Sequence, residues 1–408
     1  MDPTRSAAFA IVAVGLAGAS PAVAQQQQRS PDVVVGNVDN LTDFGNQTVD
    51  GDKYVGVTAS TASCNIGNAN LSWEQLPDKR HPVIAINLYR LVNGRMEQLG
   101  QSWVKHGFFA TNDSDCPQMP GVTLPQCVHP GVGNILAPGC SDPYGESLNA
   151  NADWLGPRSK INPATGDFDP AKARDLTGHP SSTELQRIVF VKDSLLGNVN
   201  ARYFMEAQYI AADDAAAGNA RNNVTYREVK PIRRQQTWVF NNVRSEARFE
   251  PAVKAWQGAS FAEVTATEGN AKTSVIVAHK STSLGNGRVR YDYAIHNLNS
   301  DLAVGAFTVP ARGIENASIG FAAVRSYGEP WSNAAWTSKV ENGKVTWSAE
   351  AFARNPKGNA IRWGTMYNFW FISTAPAASG RATLTRFKPK AGASAPEQVD
   401  VEVAAPGG

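Results

Sequence analysis

Val83-Ile84-Ala85-Ile86-Asn87-Leu88-Tyr89-Arg90-Leu91, followed by Asn93-Gly94 and a second apolar run over 96–109, is the stretch that sets the fold class. Asn-Gly between two apolar runs signals a hairpin, because both turn positions tolerate positive φ. Leu99, Trp103 and Phe109 give the return strand its bulk. The two-residue period recurs further on. Val289, Tyr291, Tyr293 and Ile295 alternate with Arg290, Asp292, Ala294 and His296, behind a Gly285-Asn286-Gly287 turn. That alternation predicts a half-buried strand. Other strand signals fall at 187–191, 203–210, 238–240, 273–278, 303–309, 318–324, 344–348 and 367–372. No long amphipathic helix interrupts them. The prediction is an all-β chain. A loop-rich, disulfide-containing β domain (32–245) is followed by a β-sandwich of the Ig or fibronectin type (251–390). A Gln-rich leader (25–31) and an Ala/Pro/Gly-rich tail (391–408) read as flexible.

Composition narrows the function. The chain has 408 residues, a net charge of +2 and only 18% charged side chains, against roughly 25% in an average domain. It is too apolar to be disordered. With 38 basic and 36 acidic residues it is too balanced to bind nucleic acid by phosphate neutralisation, which needs clustered Lys and Arg, so no nucleic-acid partner is expected. Residues 1–24 read as a signal peptide: Arg5, an apolar stretch over 7–19, and Ala22-Val23-Ala24 before Gln25. No later run approaches the length of a membrane span. The expectation is a secreted or periplasmic protein.

Export governs the reading of Cys64, Cys116, Cys127 and Cys140. In an oxidising compartment four cysteines most simply make two disulfides, with three pairings open. Cys116 and Cys127 bracket a proline-rich decapeptide, which favours that pair and leaves Cys64 with Cys140. A metal site joining the cysteines to His106 or His129 is the alternative, but the spacing lacks the paired short-range cysteines of a zinc ribbon. Three of the four cysteines sit in a stretch (111–182) rich in Pro, Gly, Asn, Asp and Ser, which reads as one long loop.

Walker, dinucleotide-binding, zincin and Gly-x-Ser-x-Gly motifs are absent. The candidate chemistry lies around the long loop, in Trp103-Val104-Lys105-His106-Gly107-Phe108-Phe109 and Gly139-Cys140-Ser141-Asp142-Pro143-Tyr144-Gly145. Together with Asp213-Asp214-Ala215-Ala216-Ala217-Gly218-Asn219 and Asn359-Ala360-Ile361-Arg362-Trp363-Gly364-Thr365-Met366-Tyr367-Asn368-Phe369, these segments resemble a group of exported bacterial two-domain β-rich proteins of unknown function. The resemblance spans both domains and implies no activity. On chemistry alone, His106 could serve as a general base, Asp142 could orient it, and Ser141 could be a nucleophile with Lys105 nearby. The plainer reading has Lys105 and His106 ending a strand in water, and Ser141-Asp142-Pro143 forming a turn beside a disulfide. Asp167 and Asp169, and the pair Asp213 and Asp214, are oxygen-rich enough for structural Ca²⁺ but lack the EF-hand spacing. Asp213 also reads as the cap of a single helical turn closed by Gly218.

The aromatic residues carry the other signal. Trp331, Trp336, Trp347, Trp363 and Trp370 crowd into the last third, and Trp370 should face away from Tyr367, Phe369 and Phe371. Exposed indoles at Trp331, Trp336 and Trp370 could stack on sugars or other surface polymers. Two functions therefore stand. The first is an exported protein that binds a surface polymer, a glycan, through exposed aromatics. The alternative is an extracellular hydrolase or metal-assisted oxidoreductase with its site in the 105–145 region.

Overall fold

A computed structural model describes residues 30–407, and the expected signal peptide and most of the leader lie outside the described residues. The chain is all-β, with short helical turns as the only helices among the described residues. Strands Val83–Val92 and Arg95–His106 form the expected hairpin, with Asn93 and Gly94 at φ 52° and 75°. This hairpin lies near one end of an eleven-stranded, entirely antiparallel sheet. From the far end the order is Ser141–Tyr144, Asp52–Asn65, Val33–Val49, Thr237–Asn242, Val224–Arg234, Arg202–Ile210, Val83–Val92, Arg95–His106 and Leu155–Gly156. Val189–Lys192 pairs with Asp52–Asn65 yet packs against Arg95–His106, so the sheet curls back on itself. Gly100 permits the approach. A Cβ there would come 2.9 Å from a Val191 methyl and 3.0 Å from one of Val189. The concave face closes over a core that includes Val35, Val57, Ile86, Leu88, Met205 and Tyr209.

The rest of the chain folds into two five-stranded sheets. One runs Ser260–Glu268, Ala271–Gly285, Arg288–Asn297, Thr365–Ser373, Gly320–Ala323. The other runs Thr337–Glu341, Lys344–Ser348, Val304–Pro310, Ala377–Arg386, Gln398–Pro406. Between them lies an aromatic core that includes Tyr291, Tyr293, Phe307, Trp347, Phe369 and Phe371, as expected of a sandwich. The Val289–Asn297 alternation holds, but the second face is not solvated. Ala278, Ala294 and Met366 pack against Tyr89, Met96, Phe204 and Trp256, so the inner sandwich sheet is buried on both sides. Polar contacts cross the same junction. Gln98 accepts from Met366 N at 2.7 Å, Asn368 donates to Met96 O at 2.7 Å, and Arg95 pairs with Asp292 at 2.9 Å.

Four expectations are corrected. The 391–408 tail is not loose: Gln398–Pro406 is the outer strand beside Ala377–Arg386, and Val401, Val403 and Ala405 enter the sandwich core. The disulfides are Cys64–Cys116 and Cys127–Cys140. Cys64 sits opposite Ser141 in the ladder, beside Cys140, but successive residues on a strand face opposite ways. Cys64 therefore points into a small cluster with Val34 and Met119, whereas Cys140 points into the main core with Cys127. The 111–182 stretch is no single loop; it contains strands Ser141–Tyr144 and Leu155–Gly156 and helix Glu146–Ala150. Finally, Glu184–Arg187 is a helical turn and the strand there is Val189–Lys192.

Candidate functional site

Strand alternation separates the residues singled out at 105–145. Lys105 and His106 are neighbours on one strand, so they leave the sheet on opposite faces. His106 Nδ1 lies 2.9 Å from His81 Nε2, and both rings meet Phe168 edge-on at 5.2 Å. Lys105 Nζ lies on the other side, 2.8 Å from the centre of the Tyr144 ring and 4.2 Å from that of Phe108. It has no hydrogen-bond partner among the described residues. Asp142 accepts from Trp73 Nε1 at 2.8 Å and Thr111 N at 2.9 Å, and Ser141 Oγ donates to Asp113 O at 3.1 Å. His106, Asp142 and Ser141 thus share no hydrogen bond and do not converge on a cleft.

Nor does the plainer reading survive. Lys105 and His106 are buried, because the Leu155–Gly156 strand covers that edge, and Ser141–Tyr144 is a strand rather than a turn. Burial pushes His81 down to about 4 and His106 down to about 3, leaving both rings neutral at pH 7. It likewise pulls Lys105 well below the ordinary lysine range and raises Asp142.

The calcium candidates are held by protein donors. Asp167 pairs with Lys79 at 2.5 Å, and Asp169 accepts from Ala171 N at 3.1 Å. Asp213 accepts from Ser72 N at 2.7 Å and Asp214 from Val33 N at 2.9 Å. Asp213 is not the cap, since Ala211 occupies that position, but Gly218 does close the turn at φ 88°. No three His, Cys, Asp or Glu side chains form a metal-sized group among the described residues. His129 Nδ1 accepts from Gly131 N at 2.9 Å.

The three candidate tryptophans have different fates. Trp336 is a correction: it is 5% exposed, stacks on Phe321 at 5.7 Å and donates to Asn359 O inside the sandwich. Trp370 faces away from its aromatic neighbours as expected, but it is half-buried and covered. The Arg95 guanidinium lies 3.7 Å from its ring centre, and a Cβ on Gly320 would come within 1.9 Å of the indole. Trp331 is half-buried and lines a cleft.

That cleft, about 60 Å³, forms where the helical turn Arg158–Lys160 meets the sandwich, and Arg158, Ser159, Ser300, Asp301, Trp331 and Arg362 are among its walls. Arg158 anchors it. Its guanidinium donates to Ser102 O (2.6 Å), Ile86 O (3.2 Å), Asn87 Oδ1 (2.9 Å) and Gly364 O (3.4 Å). Gly364, at φ 65°, has no substitute here, since a Cβ would lie 2.4 Å from Arg158 Nη1. The Glu329 carboxylate accepts from Arg158 N at 2.6 Å and Ser159 N at 3.3 Å, which ties the Arg158–Lys160 turn to the loop carrying Trp331.

Arg362 is 7% exposed and lies 5.2 Å from the Trp331 ring centre. Its Nη2 donates to Pro356 O and Gly358 O, both at 3.1 Å, but its Nε has no partner among the described residues, and the Ser159 hydroxyl sits beside the Glu329 carboxylate. Lys388 pairs with Asp301 at 2.7 Å. Burial lowers Arg158 and Arg362 to about 10 and raises Glu329 to about 7. Both arginines therefore stay charged at neutral pH. Sequence reading passed over Arg158, Glu329 and Lys388. Arg362-Trp363-Gly364 did fall inside one of the segments quoted for the resemblance, and was the signal available. A larger open groove of about 580 Å³ lies beside His279 and Glu402, but it is lined mostly by alanines and small side chains, and His279 Nδ1 is already taken by Ala404 N at 3.0 Å.

No family model and no curated protein matches the chain. Among solved structures, an inactive mutant of the GH20 exo-β-N-acetylglucosaminidase from Vibrio harveyi is 15% identical over 32% of this chain and 18% of its own length, with a TM-score of 0.21. The collagen adhesin from S. aureus is 8% identical over 93% of this chain and 96% of that one, with a TM-score of 0.18. The serine-rich repeat adhesion glycoprotein from Streptococcus agalactiae is 10% identical over 93% and 97%, with a TM-score of 0.20. Scores this low do not extend to a shared topology.

Proposed function

We propose that this is an exported protein that binds a surface polymer, a glycan, at the cleft beside Trp331. The observation that carries the reading is the Trp331 indole sharing one cleft with Ser159 and with Arg362, whose buried Nε has no partner among the described residues. A flat apolar ring beside directional donors is what a sugar face and its substituents require. The two disulfides support a non-cytoplasmic setting. Secretion and the glycan itself are part of the proposal.

Affinity electrophoresis through gels of soluble polysaccharides tests it. Trp331→Ala should abolish retardation while shifting the melting temperature by only a few degrees. Trp336→Ala should instead destabilise by about 3–5 kcal/mol, as for any large aromatic removed from a core. A Trp331→Ala protein still retarded like the parent would overturn the proposal.

A further inference from the structure

We infer that the cleft recognises an acidic sugar, a hexuronate, taking its carboxylate against Arg362 and Ser159 while the sugar ring rests on Trp331. This rests on the reading of the cleft as the glycan site. It goes further in naming the substrate class.

Three cations, Arg158, Arg362 and Lys388, line the cleft against one carboxylate, Asp301. They are not equivalent. Arg158 spends its donors on four protein oxygens, and Lys388 is paired with Asp301. Arg362 alone combines a place in the wall, near-complete burial and an Nε with no partner among the described residues.

Behind the Ser300 wall stands a second buried guanidinium. Arg386 reaches Ser300 Oγ at 3.2 Å, while its Nε and Nη2 have no partners among the described residues. Two acids nearby are committed elsewhere. Glu268 accepts from Asp301 N at 2.8 Å, and Glu329 from Arg158 N at 2.6 Å.

A buried guanidinium donor left unpaired is costly to the fold, and an oxyanion satisfies it with a charge-assisted bond. Arginine suits a planar carboxylate better than a point charge does. Size completes the argument. A cleft of about 60 Å³ admits a carboxylate but no pyranose ring, which must stay outside, where the half-exposed indole lies. The chemistry of the site alone fits a free carboxylate or sulfate equally well. Trp331 is what favours a sugar that bears one.

Titration calorimetry on the purified protein decides it, using trigalacturonate, cellotriose, sodium acetate and sodium sulfate as separate probes. Trigalacturonate is expected to bind and cellotriose to bind at least tenfold more weakly. Arg362→Gln should weaken trigalacturonate at least tenfold. Because Arg362 is buried and its loss can compromise folding, Ser159→Ala is the second variant. It removes the hydroxyl beside the Glu329 carboxylate and should weaken trigalacturonate about threefold while lowering the melting temperature by no more than a few degrees.

Equal binding of trigalacturonate and cellotriose, insensitive to Ser159→Ala, would overturn the acidic class while leaving glycan binding intact. Acetate or sulfate binding as tightly as trigalacturonate, with Trp331→Ala harmless, would identify a free-anion site and overturn the sugar. If none of the four probes binds, the hexuronate inference falls by itself, and polysaccharide retardation separately judges the glycan reading.

Discussion

Replacing His106 with phenylalanine should reduce by about 3 kcal/mol the stability that the protein's histidines lose between pH 7 and pH 4. In the unfolded chain each imidazole takes up a proton near pH 6.5. In the fold His106 resists until about 3 and His81 until about 4, chiefly because both are buried; neighbouring His81 and Arg174 add to the effect at His106, whereas Asp78 opposes it at His81. The sign follows. A histidine depressed by folding contributes its stability in full above pH 6.5 and loses it as the pH falls towards the folded value. The groups facing the pair are Asp78, which favours protonation of His81, and Lys105 and Arg174, which oppose it.

Asp32, Asp214 and Glu329 work the other way. Burial raises them to about 6, 8 and 7, so acid relieves them. The wild-type curve alone therefore mixes the two effects, and the comparison must be between parent and His106→Phe, by urea unfolding at each pH. Parallel pH profiles for the two proteins would show that the His81–His106 pair is not the acid-sensitive element.

The second large effect is expected at Arg158. Arg158→Ala removes the donor shared by Ser102 O, Ile86 O, Asn87 Oδ1 and Gly364 O, all of them buried. Breaking a buried charged network from one side costs about 3–5 kcal/mol. Arg158→Lys should recover little of it, because an ammonium cannot span acceptors that a guanidinium fork spans. Denaturant unfolding measures the loss. A loss below about 1 kcal/mol for Arg158→Ala would mean that water replaces the guanidinium and that the junction does not depend on it.

Much of this fold is legible in short stretches of sequence. The Asn93-Gly94 hairpin and the Val289–Asn297 alternation form where local chemistry places them, because turn geometry and strand period are properties of a few residues. What escaped depends on which face meets what. The inner sandwich sheet is buried twice, yet its second face shows Ala278, Ala294 and His296, none of which advertises burial. The Gln398–Pro406 strand hides in an Ala/Pro/Gly composition although Val399, Val401 and Val403 alternate in plain sight.

The disulfide pairing failed for a related reason, since loop length says nothing about the side of the ladder on which a thiol emerges. At the site the same rule was available and unused. Adjacent strand residues such as Lys105 and His106 cannot serve one centre on one face. Trp331 was found because a tryptophan among small polar residues stands out. Arg158 and Glu329 were not, because a lone arginine in a polar stretch looks solvated until the second half of the chain closes over it.

The doubly buried sheet also sets how the protein can be handled. A fragment ending near residue 250 would bring Tyr89, Met96 and Phe204 into water, and a fragment beginning there would do the same to Ala278, Ala294 and Met366. Contiguous apolar surfaces of that kind drive self-association. Each half cut there is expected to self-associate, and a library of truncations would report precipitation where it was meant to report binding.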